Sequence, residues 1–323
     1  MKIAVLTSGG DAPGMNAAIR AVVRTAIYKG AEVYGIERGY NGLIRGEFKK
    51  LEVRDVSDII QTGGTKLYTA RCAEFREDEG VTLAAEHCKK FGIEGIVTIG
   101  GDGTFRGALD LSRKGINCIG IPGTIDNDIA CSEYSIGFDT AMNTAMRMVD
   151  NIRDTAQSHD RCSIVEVMGR NAGFLALNTG VACGATSIII PEDKEFDIDD
   201  VVAKILETKE QGKKHFIIIV AEGVGGVEEK AKYIEAKTGI ESRATVLGHV
   251  QRGGSPTVRD RVVATQMGYH AVELLLAGAT CRVVVMKDEK ITDYDIEEAL
   301  KKGSPLHKPF DEKTYEIANA VSI

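Results

Sequence analysis

The sequence predicts an α/β protein, because short β-branched runs alternate with helical patterns along all of its 323 residues. Strands that are apolar throughout indicate parallel sheets covered by helices on both faces, as in a doubly wound, Rossmann-like fold. Apolar residues make up 43% and charged residues 27% of the chain, which is a globular composition. This length exceeds one small core, so we expect two lobes with parallel or mostly parallel sheets.

Runs rich in β-branched residues give the predicted strands. In chain order they are 2–7, 32–36, 94–99, 117–121, 162–168, 186–190, 215–221, 244–249 and 282–286. Stretches with helical periodicity include 15–29, 139–157, 199–211 and 259–277. In the first of these helices, one face carries Met15, Ile19, Val22, Val23, Ala26 and Ile27.

The charge and cysteine content limit the compartment and the partners. A net charge of −7 argues against nucleic acid and anionic membranes as partners, so an anionic ligand would need local arginines and backbone amides. No apolar run approaches a membrane span of about 20 residues, and the chain opens directly on a strand-like segment, so we expect no signal peptide. The seven scattered cysteines are expected to be reduced thiols in a cytoplasmic protein.

Glycine-rich segments follow four of the predicted strands. They are residues 7–14, 100–104, 122–128 and 221–223. Glycine lets backbone amides approach a phosphate closely, and the following helix presents free N–H groups to it. One such segment is usually an ordinary tight turn. Two on neighbouring strand ends, each with an aspartate, can together hold a phosphate chain, a Mg²⁺ ion and a nucleophile.

The familiar nucleotide signatures are missing. The chain has no Walker motif, and Arg106 stands where a dinucleotide fingerprint starting at Gly101 needs glycine. A serine hydrolase elbow and a zinc-protease helix are also absent. These absences weigh against a Walker-type NTPase, a hydride-transfer enzyme and the common hydrolases.

Two aspartates are the candidate catalytic groups. Phosphoryl transfer needs a base that takes the acceptor's proton and a carboxylate that holds Mg²⁺; Asp126 suits the first role and Asp102 the second. Asp126 and Asp128 are equally suited to a turn or a helix cap. Arginines, whose forked side chains match phosphate, lie near strand ends or glycine turns at Arg71, Arg161, Arg170, Arg243 and Arg252.

Five segments together resemble the ATP-dependent 6-phosphofructokinases of the bacterial type, over essentially the whole chain. They are residues 6–16, 100–104, 122–128, 167–170 and 246–256, in the order found in that family. The resemblance implies an ATP lobe of residues 1–138 and 250–303, and a fructose 6-phosphate lobe of residues 139–249 and 304–323. It further implies an active site in the cleft between the lobes, and a homotetramer in the cytoplasm.

The resemblance also implies roles for individual residues. Asp126 would accept the proton of the sugar's 1-hydroxyl beside Thr124, Asp102 would hold Mg²⁺, and Arg71 and Arg170 would stabilise the transition state. The ATP site would be lined by Gly10, Arg71, Cys72, Gly101, Asp102, Gly103 and Thr104. Sugar phosphate would be bound by Thr124, Ile125, Asp126, Met168, Gly169, Arg170, Glu222, His249, Val250, Gln251 and Arg252. Arg161 and Arg243 would reach the 6-phosphate from a neighbouring subunit.

Two glycines indicate the phosphoryl donor. The pyrophosphate-dependent branch of the family has aspartate at the position of Gly103 and lysine at that of Gly123. A side chain at Gly103 would project into space that a nucleotide needs, and a lysine at 123 would add charge suited to free pyrophosphate. Both positions are glycine here, so ATP is the predicted donor.

The family also has an effector site between subunits, for a nucleotide diphosphate such as ADP or for phosphoenolpyruvate. The matching positions here are Arg20, Arg24, Arg153, Gly184, Lys213, Lys214 and His215. Thr186 stands where members commonly carry a metal-binding glutamate, and Gln211 where a basic residue is common. We therefore expect weakened or altered activation by ADP.

Two other functions fit the sequence less well. NAD kinases and lipid kinases share the loop at 100–104, but they predict neither the segment at 124–128 nor arginines for a sugar phosphate. A phosphate-binding sensor on the same scaffold would be expected to have lost Asp102 or Asp126, and both are present.

Overall fold

The computed structural model describes residues 1–322, which form eleven strands and eleven helices. The strands are β1 (Lys2–Ser8), β2 (Glu32–Ile36), β3 (Phe48–Leu51), β4 (Gly95–Gly100), β5 (Asn117–Pro122), β6 (Cys162–Val167), β7 (Ser187–Ile189), β8 (Phe216–Ala221), β9 (Ser242–Val246), β10 (Arg282–Lys287) and β11 (Lys290–Asp295). The helices are α1 (Met15–Tyr28), α2 (Tyr40–Arg45), α3 (Asp78–Phe91), α4 (Asp102–Arg113), α5 (Phe138–Ser158), α6 (Phe174–Ala182), α7 (Ile198–Glu210), α8 (Val227–Thr238), α9 (Val258–Leu276), α10 (Ile296–Leu300) and α11 (Glu312–Val321).

The chain folds into two compact units, neither of which is continuous in sequence. Unit 1 comprises Met1–Ile125, Ile129–Thr140 and Arg252–Lys308. Unit 2 comprises Asp126–Asp128, Ala141–Gln251 and Pro309–Ile323.

Unit 1 is built on a seven-stranded sheet of order β11-β10-β5-β4-β1-β2-β3. The five inner strands are parallel, while β3 and β11 pair antiparallel with their neighbours at the two edges. Ile96 of β4, Phe105 of α4 and Val283 of β10 belong to one buried cluster of this unit. Burying such side chains contributes roughly 1.5–3 kcal/mol each, so the apolar strands hold the unit together.

Unit 2 has a four-stranded sheet of order β7-β8-β6-β9, and all its pairs are parallel. Strand β8 is buried along its whole length, as expected for a parallel strand with both faces covered. Its Phe216 and Ile218 pack with Ile234 of α8 and Ile205 of α7 in the core of the unit.

The predicted α/β class with mostly parallel sheets is confirmed, and three strand predictions need correction. Strands β3 and β11 were not predicted, because both carry charged residues that interrupt an apolar pattern. The predicted strand 244–249 lies too far along the chain: β9 spans Ser242–Val246, and Gly248–Arg252 forms a 3-10 helix. Gly248 has a φ of 57°, a left-handed conformation that ends an extended strand.

The pairing of β4 with β5 positions the loops of interest. The two strands run parallel with Gly100 opposite Pro122, and the N–H of Gly123 donates to the carbonyl of Gly100 at 2.9 Å. Both strands therefore end at the same level, and the two loops start side by side. Strand β1 ends beside β4 in the same way, with Ser8 opposite Gly100.

The state of the cysteines and the length of the helices can be read from the structure. The cysteines are free thiols, with Cys72 and Cys281 partly exposed and the other five buried. Among residues 1–322, no helix is both long and apolar enough to cross a membrane.

Candidate active site

Three loops meet at the carboxyl ends of β1, β4 and β5 in unit 1. The Thr104 hydroxyl of the second loop donates to the carbonyl of Ser8 at 3.1 Å, and the Tyr40 hydroxyl donates to the Thr104 carbonyl at 2.5 Å. In the first loop, the Gly9 carbonyl accepts a hydrogen bond from Thr69 at 2.8 Å. These bonds fix the backbone of both loops before any ligand binds.

Asp102 is the first residue of α4, directly after Gly101. The first turn of a helix presents N–H groups and a positive dipole end, which suits phosphate oxygens. The Asp102 side chain is partly exposed. Within residues 1–322 no three His, Cys, Asp or Glu side chains gather as a metal site. The Asp102 carboxylate fits Mg²⁺, since that ion is commonly held by one or two carboxylates together with substrate phosphates.

Glycines 101 and 103 border open space. A Cβ atom built on either residue would meet no protein atom within 4 Å. Gly123 differs, because a Cβ there would lie 3.2 Å from both Ile99 and Met15. The fold itself therefore permits a side chain at 103 but leaves little room for one at 123.

Arg252 lies in unit 1, against the first loop. Its Nη1 donates to the Asp11 carbonyl at 3.1 Å and would lie 2.7 Å from a Cβ on Gly10. The structure thus places this predicted sugar-phosphate arginine beside a predicted ATP residue.

Arg71 and Cys72 occupy the segment before α3. The Arg71 side chain is exposed, and its carbonyl accepts a hydrogen bond from Asn41 at 3.2 Å. Cys72 is partly exposed, and burial raises the pKa of its thiol, with Glu74 adding to that rise. A thiol with a raised pKa is a poor nucleophile at neutral pH, so Cys72 is suited to contact rather than chemistry.

The segment after β5 buries its polar groups. Thr124, Asp126 and Asn127 are 8%, 6% and 5% exposed, and Ile125 is fully buried. The Thr124 carbonyl accepts a hydrogen bond from the Ser135 hydroxyl at 2.7 Å. The Asp126 carboxylate is therefore largely shielded from bulk water.

The turn after β6 gathers the next group of predicted residues in unit 2. Gly169 has a φ of 137°, and a Cβ there would lie 2.6 Å from the Ala172 carbonyl oxygen, so only glycine fits. The Arg170 N–H donates to Glu222 at 2.6 Å, and the Arg170 guanidinium lies 3.8 Å from Asp128. The Met168 N–H donates to the fully buried Gln251 at 3.2 Å. His249 and Val250, beside Gln251, are exposed.

The structure separates Arg161 and Arg243 from this turn. Both lie at the amino ends of β6 and β9, whereas Arg170 and Glu222 follow the carboxyl ends of β6 and β8. Glu241, which the sequence did not single out, contacts both arginines, with 2.8 Å to the Arg161 Nε. The hydrogen bond from Arg161, followed by that from Arg243, holds the pKa of Glu241 below its ordinary value.

The predicted effector residues fall into one group in each unit. In unit 1, Arg20 and Arg24 lie one turn apart on α1, and burial followed by the charge of Arg24 lowers the pKa of Arg20. In unit 2, Arg153 donates to the Cys183 carbonyl. Burial and then the charges of Arg153 and Lys213 lower the pKa of His215. Gly184 and Lys214 are exposed. Each group is therefore cationic.

Comparisons with known proteins identify the family. The phosphofructokinase family model matches residues 2–275. The chain belongs to the phosphofructokinase family. It is 59% identical over 320 residues to an ATP-dependent 6-phosphofructokinase of Clostridium botulinum strain Hall, covering 99% of both chains. It is 56% identical over 321 residues to ATP-dependent 6-phosphofructokinase 1 of Clostridium perfringens strain 13, again covering 99% of both.

Solved structures of the family share the fold. The phosphofructokinase of Pichia pastoris in the T-state matches 99% of this chain with a TM-score of 0.90 and 36% identity. The structure of phosphofructokinase from Saccharomyces cerevisiae matches 99% of it with a TM-score of 0.86 and 36% identity. This chain spans only 39% and 46% of those two longer chains, respectively.

The backbone of Arg170 gives the first testable prediction. Its φ of 58° is a left-handed conformation that costs a residue with a Cβ about 1–2 kcal/mol and glycine almost nothing. We expect Arg170→Gly to be more stable than Arg170→Ala by about 1 kcal/mol in chemical denaturation, although both lose the same guanidinium. Equal stability of the two variants would show that the turn stores no strain.

Proposed function

We propose that this protein transfers the γ-phosphoryl group of MgATP to the 1-hydroxyl of fructose 6-phosphate. The products are ADP and fructose 1,6-bisphosphate, and the reaction belongs to glycolysis. The observation that carries this proposal is the pairing of β4 with β5, which sets the helix start at Asp102 beside the loop that leads to Asp126. The two clostridial relatives, which match over nearly their full lengths, are named for this reaction.

ATP is proposed to bind through the first two loops of unit 1. The backbone of residues 101–104 and the start of α4 bind phosphate oxygens, and Gly103 leaves the space that the nucleotide fills. Asp102 would hold Mg²⁺, which would offset negative charge on the ATP phosphates. Gly10, Arg71 and Cys72 complete the binding surface.

Asp126 is proposed as the base. Its carboxylate takes the proton of the sugar's 1-hydroxyl as that oxygen bonds to the γ-phosphorus, while the bond from phosphorus to the β–γ bridging oxygen breaks. Thr124 lies two residues earlier and contacts the transferred group. Arg71 and Arg170 stabilise the negative charge on the transferred phosphoryl.

Fructose 6-phosphate is proposed to bind through the turn after β6 and the residues around β9. Glu222 is fixed by the Arg170 N–H and accepts hydrogen bonds from sugar hydroxyls. Met168, Gly169 and His249 also contact the sugar phosphate in unit 2, and Arg252 is proposed as a further ligand of its phosphate. Arg161 and Arg243 bind the 6-phosphate of a neighbouring subunit in a homotetramer, which accounts for their place at the opposite strand ends. The protein acts in the cytoplasm.

Replacing the proposed base tests the mechanism. Asp126→Ser should lower kcat by roughly 10²- to 10⁴-fold and leave the KM for both substrates nearly unchanged, because a base acts on the transition state. Asp128→Ser is the matched control in the same segment and should retain far more activity. If Asp128→Ser loses kcat and Asp126→Ser does not, the base is Asp128.

The donor is tested at Gly103. Because no protein atom lies near a Cβ at this position, Gly103→Asp should fold normally yet raise the KM for ATP far more than the KM for fructose 6-phosphate. Gly103→Ala should show a smaller effect of the same kind. Coupled assays of the unchanged protein should show turnover with ATP and little with pyrophosphate, and faster turnover with pyrophosphate would overturn the assignment.

The effector site is tested with ADP. Thr186 offers no carboxylate for a metal, and Gln211 is an exposed residue at the end of α7. We expect millimolar ADP with Mg²⁺ to shift the saturation curve for fructose 6-phosphate only weakly. Gln211→Lys, which adds a cation at a tolerant surface position, should strengthen the response. A strong shift in the unchanged protein would contradict this prediction.

A further inference from the structure

Asp260 is a fully buried carboxylate in the first turn of α9. Four donors converge on it: the Tyr134 hydroxyl at 2.6 Å, the Gly137 N–H at 2.7 Å, the Thr140 N–H at 2.9 Å and the Thr140 hydroxyl. All four donors are neutral: two are side-chain hydroxyls and two are backbone N–H groups. Burying a carboxylate is costly unless hydrogen bonds satisfy its oxygens, and these four donors do so.

The arrangement of donors requires a carboxylate at this position. One Asp260 oxygen accepts from the Gly137 N–H and the other from the Thr140 N–H. Asparagine has one accepting oxygen and one donating NH₂ group. Whichever way an asparagine amide turned, its NH₂ would face a backbone N–H that cannot accept.

Asp260 also caps a helix that cannot cap itself. Gly137 precedes α5 and has no side chain to accept the free N–H groups of the first turn. Asp260 supplies the missing oxygen from another part of the chain. The N–H dipoles at the start of α5 and of its own helix α9 stabilise the buried charge in turn.

Residues 134–140, which Asp260 holds, are bonded to the loop after β5. Ser135 lies between the two Asp260 partners Tyr134 and Gly137, and its hydroxyl donates to the Thr124 carbonyl at 2.7 Å. The Ile136 N–H donates to the Pro122 carbonyl at 3.0 Å. Ile136 also limits the first loop, since a Cβ on Gly14 would lie 2.6 Å from its side chain.

We propose that Asp260 is a positioning residue for phosphoryl transfer, acting through Ser135 on the backbone of Thr124. The proposal rests on the assignment of Thr124 and Asp126 to the chemistry. In this role Asp260 contacts no substrate. It holds residues 134–140 in place, and Ser135 of that segment holds the backbone of Thr124. Small displacements of reacting groups cost much of the rate, so a loosened Thr124 should slow turnover while binding persists.

A double-mutant cycle tests this path. Asp260→Asn and Ser135→Ala should each lower kcat, by roughly 10- to 100-fold for the former, with less than about a twofold change in the KM for MgATP. Because both act through one path, the double variant should lose little more than Asp260→Asn alone. Losses that multiply would overturn the path through Ser135.

Stability needs its own control. Leu111→Ala removes a fully buried side chain of α4 and should lower the Tm of the protein without lowering kcat. If Asp260→Asn lowers the Tm but leaves kcat intact, as Leu111→Ala does, Asp260 is only structural and the proposal fails. Should Asp260→Asn not fold, Ser135→Ala alone decides, and unchanged kcat in that variant refutes the proposal. Unchanged kcat in Asp126→Ser would instead refute the underlying mechanism.

Discussion

The parallel hydrogen bonding of β4 with β5 is the constraint on which the candidate site depends. It sets Gly100 opposite Pro122 and continues into the bond from Gly123 to Gly100. Side chains alternate between the two faces of a strand. A slip of one residue in the β4–β5 pairing would therefore turn the side chains of one strand to the opposite face and move the two aspartate-bearing loops out of alignment. The relative position of the two loops is therefore set by the backbone register of β4 and β5.

Much of the fold could be predicted from local pattern, and the exceptions have a common cause. The inner parallel strands are apolar on both faces, so each stands out in the sequence. The edge strands β3 and β11 carry lysines and aspartates, because their outer edge faces water, and they exist through pairing with β2 and β10. A strand that forms because it pairs with a neighbouring strand has no distinctive apolar pattern in its own sequence.

The same distinction holds for the site. The sequence could propose Asp102, Asp126 and the glycine turns as site residues, since their chemistry and spacing are local. It could not find that Arg252 contacts the loop at Asp11, or that Asp260 holds residues 134–140, because these partners lie more than a hundred residues apart in the chain. Glu241 lies only two residues before Arg243, and this spacing is the one sign in the sequence of its contact with that arginine.

The interrupted course of the chain also bears on the order of folding during synthesis. All four strands of the unit 2 sheet lie within the single stretch Ala141–Gln251. The unit 1 sheet cannot be completed until β10 and β11 have left the ribosome, long after β5 has been made. The edge of β5 stays unpaired while unit 2 is translated. Pairing between strands that lie far apart in the sequence is slow. Until β10 is made, the first half of the polypeptide carries an unpaired strand edge, a feature that promotes aggregation of incompletely folded chains.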